Sequence, residues 1–63
     1  MLRYIGTFNW YGEIYTLHTK ADNEKIAFQK MTRALSKKLE RRYSAVGSYF
    51  LNRENKYEVK VEG

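Results

Sequence analysis

The chain opens on two stretches of mixed apolar and polar residues, separated by Asn9-Trp10-Tyr11-Gly12. Asn at the first turn position, with Gly where a left-handed residue is required, signals a β-hairpin closed by a type I turn and a glycine bulge. That turn pairs Asn9 with Glu13, Phe8 with Ile14, Thr7 with Tyr15, Ile5 with Leu17 and Tyr4 with His18. Tyr4, Phe8, Ile14 and His18 then share one face, and Ile5, Tyr15 and Leu17 the other. Neither face is cleanly polar, so a helix packed on one leaves apolar side chains on the other.

The pattern then changes period. Ala27, Phe28, Met31, Ala34, Leu35 and Leu39 recur at helical spacing and predict one helix over about residues 23–42. Asp22 is the expected N-cap, and Glu24 adds negative charge where the helix dipole is positive. Lys56-Tyr57-Glu58-Val59-Lys60-Val61-Glu62 alternates strictly, which predicts a strand with Tyr57, Val59 and Val61 inward. Residues 44–52 fit two descriptions. As a strand, the favoured reading, they pair with the last strand across a turn at Arg53-Glu54-Asn55. As a short helix capped by Ser44, they gather Ala45, Val46, Tyr49 and Phe50 on one side. The expected fold is α+β: a small antiparallel sheet, ordered ββαββ or alternatively ββααβ, with one long basic helix on one face.

Size narrows the options further. Sixty-three residues without cysteine, linker or repeat read as a single domain, residues 1–63, with a thin core and no disulfide to brace it. No apolar run reaches the ~18 residues of a membrane span, and the start lacks a signal peptide's apolar stretch. The expectation is a complete, soluble, cytoplasmic protein.

Charge adds a direction. Seven Lys/Arg against Asp22, Glu24 and Glu40 leave +4 between residues 22 and 42, out of +5 for the whole chain. A positive field so localised attracts anionic partners. Lys30, Arg33, Lys37 and Arg41 step by three or four residues, so they line one side of the expected helix, with Lys38 and Arg42 beside them. Such a row matches a phosphate backbone and neutralises it while releasing counterions. It also describes an ordinary solvated helix face carrying dipole-matched cations. Trp10 and Tyr11 occupy central turn positions, where polar residues are usual. They suggest an anchor for a protein partner or a platform for unpaired bases; the alternative is that Trp10 folds back to cap the core.

Catalysis has little to build on. His18 is the only histidine, no sequence neighbour completes an acid–base set, and the four glycines form no phosphate loop. With no Cys and one His, a zinc site lacks ligands. We therefore expect neither an enzyme nor a cofactor. Two roles remain. The first is a nucleic-acid-binding accessory protein, for DNA or RNA, with Lys30, Arg33, Lys37, Lys38, Arg41 and Arg42 on phosphates and Trp10 and Tyr11 stacking or wedging. The second is a protein-binding adaptor or inhibitor, of the kind phages and plasmids use, docking the basic helix on an acidic host surface with the aromatic hairpin tip or sheet face as its hydrophobic hot spot. An apolar open sheet face would also suit a homodimer.

Overall fold

In the structure, a computed structural model that describes residues 1–62 apart from the Glu54 side chain, the order is ββααβ. Strands β1 (Leu2–Trp10) and β2 (Glu13–Ala21) form the hairpin. Helix α1 (Glu24–Leu39) and helix α2 (Tyr43–Leu51) follow. A short 3-10 turn (Glu54–Lys56) then leads into strand β3 (Tyr57–Val61). The sheet is antiparallel with β1 in the centre, in the order β2-β1-β3. The expected α+β architecture holds, and the second of the two expected element orders is the one adopted.

The hairpin register differs from the expectation by one residue. Trp10 pairs with Glu13, Phe8 with Tyr15, Gly6 with Leu17 and Tyr4 with Thr19. The loop is only Tyr11-Gly12, both with positive φ (50° and 90°), the signature of a type I′ turn. Asn9 supports this turn with its side chain, Oδ1 accepting a 2.8 Å hydrogen bond from the Gly12 N–H. Because side chains alternate, a one-residue slip moves a whole strand's set to the opposite face. Tyr15 and Leu17 therefore turn toward the helices beside Tyr4 and Phe8, while Ile14 and His18 face out. The open face carries Arg3, Thr7, Thr16, Lys20, Glu58 and Lys60 as exposed residues. Its apolar content reduces to Ile5 and Ile14, which removes most of the surface that had favoured a homodimer.

Helix α1 crosses the other face. Ala27, Met31 and Leu35 are buried in the core with Tyr4, Phe8, Val46, Phe50 and Val59. Phe28 and Leu39 pack on its margin, while Ala34, expected in the stripe, is exposed. Gly6 lets the helix sit this close, since a Cβ there would overlap Met31 Sδ and lie 2.8 Å from the Phe8 ring. The buried hydroxyls of Thr32 and Ser36 bond back to the Phe28 and Arg33 carbonyls, at 2.9 and 2.7 Å, and so carry no desolvation penalty. The N-cap is Asn23 rather than Asp22, its Oδ1 accepting from Ile26 N–H at 2.9 Å.

The helix also stops short of its expected end. Glu40 adopts a left-handed conformation (φ 56°, ψ 40°), and Arg41 N–H closes onto the Ser36 carbonyl at 3.0 Å. The left-handed residue breaks the helical ladder while the turn still satisfies the carbonyls of Ser36 and Lys37. The chain turns back, and residues 43–51 form α2 rather than a strand. Val46, Gly47 and Phe50 are buried while Ser48 is exposed, a one-and-three spacing that a helix presents on one side and a two-residue period does not.

Candidate nucleic-acid interface

Helix α1 runs back along β2 and ends beside the hairpin tip. Lys30 Nζ donates to the Lys20 carbonyl at 2.8 Å, toward the far end of β2, and Lys38 Nζ lies 5.4 Å from the Tyr15 ring centroid near the tip. The Tyr15 hydroxyl donates a 2.6 Å hydrogen bond to Glu13 Oε2, and that bond raises its pKa above the ordinary tyrosine value. The ring beneath Lys38 thus stays neutral, and the contact is a cation–π one.

All six expected cations are exposed. Lys30, Arg33 and Lys37 lie on the outward side of α1, with the Arg33 guanidinium 5.4 Å from the Tyr43 ring centroid. Arg41 and Arg42 do not continue that helical row. They occupy the turn between α1 and α2, where Arg42 precedes the first residue of α2. Among the described residues the ion pairs are His18–Glu62 at 3.1 Å and Lys60–Glu58 at 3.6 Å, so none of the six is paired with a carboxylate. Glu13 is engaged with Tyr15, and Glu40 lies in the turn.

Leaving the helical row brings Arg41 to the aromatic tip. Trp10, Tyr11, Arg41, Ala45 and Tyr49 surround a notch of about 430 Å³. Trp10 is half-buried, its ring 4.7 Å from that of Tyr49 and 5.9 Å from that of Phe50. It folds over the end of the core, the alternative that its turn position left open. Tyr11 does not: it is 74% exposed. Its ring leans on Trp10 at 4.9 Å and on Tyr49 at 4.8 Å, and its N–H donates to the Tyr49 hydroxyl at 3.4 Å. The Arg53 guanidinium covers the Tyr49 ring at 4.5 Å and donates to the Tyr49 carbonyl at 3.3 Å.

Tyr49 and Arg53 were missed as site residues in the sequence. Their signal was the four-residue spacing, which places them together only if residues 44–52 are helical. The two candidate features of the sequence, cations and tip aromatics, are brought together through Arg41. Lys30 remains at the opposite end of α1, away from the notch.

A second concavity, about 340 Å³, lies between the two helices, with Phe28, Tyr43, Gly47 and Leu51 among its walls. Among the described residues no three His, Cys, Asp or Glu gather as a metal site, and no helix is long and apolar enough to cross a membrane. Comparison with family models, curated proteins and solved structures finds no match.

Proposed function

We propose that the protein is a small, non-catalytic, cytoplasmic nucleic-acid-binding accessory protein. Lys30, Arg33, Lys37 and Arg41 contact phosphates, with Lys38 and Arg42 adding to the local field. The observation that supports this most is the position of Arg41. It links a strip of cations that have no carboxylate partner among the described residues to the exposed aromatic tip, the combination that nucleic-acid-binding surfaces use for backbone and base.

The test is a titration of a fluorescent 20-mer at 50 mM salt, comparing the parent with the quadruple variant Lys30→Gln, Arg33→Gln, Lys37→Gln, Arg41→Gln. Binding should be lost while the circular dichroism spectrum is kept, because all four side chains are exposed and none belongs to the core. Unchanged binding by the variant would refute this assignment of the phosphate contacts.

One observation favours a second reading as a protein-binding adaptor or inhibitor. The groove between α1 and α2 has Leu51, 65% exposed, and Lys25 among its walls, and the Arg33 guanidinium lies over the ring of Tyr43, another of its walls. An acidic partner with an apolar anchor would suit it. In that case the four substitutions would slow association with a protein partner and leave no nucleic-acid binding to measure.

A further inference from the structure

We infer that the notch at the hairpin tip is a site for one unpaired nucleobase stacked on Tyr11, so that the preferred ligand is single-stranded nucleic acid. This rests on the nucleic-acid reading above and adds the form of the ligand to it.

Backbone conformation is the first support. Tyr11 occupies the first central position of a two-residue type I′ turn at φ 50°, a place that favours Asn, Asp or Gly. A bulky residue is disfavoured in this left-handed region, and strain of this kind concentrates at functional positions. Burial does not explain the choice, because the side chain is 74% exposed.

Ring geometry is the second. Trp10 is occupied by Tyr49 and Phe50, and Tyr49 by Arg53. Tyr11 is left as the exposed ring, and it is held in place. Its turn restricts the backbone, its N–H reaches the Tyr49 hydroxyl, and two rings buttress its side chain. A fixed ring with an open face loses little freedom when a base stacks on it.

Charge is the third. Arg41 lines the same notch, placing a cation beside the ring for the phosphate next to a stacked base. In a duplex the base faces are covered by neighbouring pairs, so Tyr11 would have nothing to stack on without unstacking a step. A duplex would meet only the cations.

The experiment compares three ligands of equal length and charge per strand: a mixed-sequence single-stranded 20-mer, the same strand with every base removed, and the duplex. The parent should bind the base-bearing strand about 5- to 150-fold more tightly than the abasic one, the range expected for one stacked base. Tyr11→Asn should erase most of that ratio without lowering the melting temperature, since Asn suits the left-handed position better than Tyr. Tyr11→Phe keeps the ring and should keep the ratio. Duplex affinity should be unaffected by either change.

Equal, salt-sensitive binding of the base-bearing and abasic strands by the parent would overturn the base site while leaving the phosphate strip standing. Absence of binding to all three ligands would remove the nucleic-acid reading and this inference with it. Should Tyr11→Asn melt lower while keeping the ratio, Tyr11 is a structural cap and the inference fails.

Discussion

Loss of the Phe50 ring should damage this molecule severely. Phe50 is fully buried, and its ring lies 5.0 Å from Phe8 in an edge-to-face arrangement, 5.9 Å from Trp10 and 6.1 Å from Tyr57. It fastens α2 to the sheet, and α2 carries Tyr49. Truncating a buried Phe to Ala costs about 3–5 kcal/mol. A chain of 63 residues has a total stability of roughly 3–9 kcal/mol, from 0.05–0.15 kcal/mol per residue. Phe50→Ala should therefore lose at least about a third of the stability and melt well below the parent. Phe50→Leu, at about 1–2 kcal/mol, should lower the melting temperature by about 4–16 °C. Far-ultraviolet circular dichroism follows the melt, and the emission of Trp10, the only tryptophan, reports the environment next to Phe50. A Phe50→Ala protein that melts with the parent and keeps its Trp10 emission would show that α2 is not docked here. The strand reading of residues 44–52 would then return.

Two further changes check the frame that carries the interface. Gly6→Ala forces a methyl against Met31 and the Phe8 ring, and should destabilise the fold by about 1–3 kcal/mol in a urea melt; a neutral result would mean that α1 does not approach β1 this closely. Asn23→Ala should cost about 0.5–2 kcal/mol by thermal melting through loss of the Ile26 N–H cap, and Asp22→Ala clearly less; the reverse ranking would return the cap to Asp22.

Much of this frame was legible in the chain. The helical stripe of Ala27, Met31 and Leu35, the strand alternation of residues 57–61 and the hairpin were all readable, because each is a local pattern with one dominant period. The hairpin register was not. Asn9 and Gly12 fit two turns that differ by one residue, and only packing selects between them: Tyr15 and Leu17 reach the helices in one, Ile14 and His18 in the other. Residues 44–52 were ambiguous for a related reason. Tyr49, Phe50 and Leu51 have strand-like composition and Gly47 weakens a helix, so the helix depends on burying Val46 and Phe50. Tyr49 meets Tyr11 across 38 residues of sequence, and Arg41 meets both only because Glu40 ends α1. A notch assembled from three elements leaves no contiguous motif to read.

The central claim is that the cation strip binds a phosphate backbone, and its most direct measurement is the salt dependence of affinity. Anisotropy titrations of the parent with a single-stranded 20-mer between 50 and 300 mM salt give the slope of log K against log salt. Four phosphate contacts, at Lys30, Arg33, Lys37 and Arg41, predict a slope of about −2.8 on a single strand. A slope near zero, or no binding at 50 mM salt, would contradict the claim.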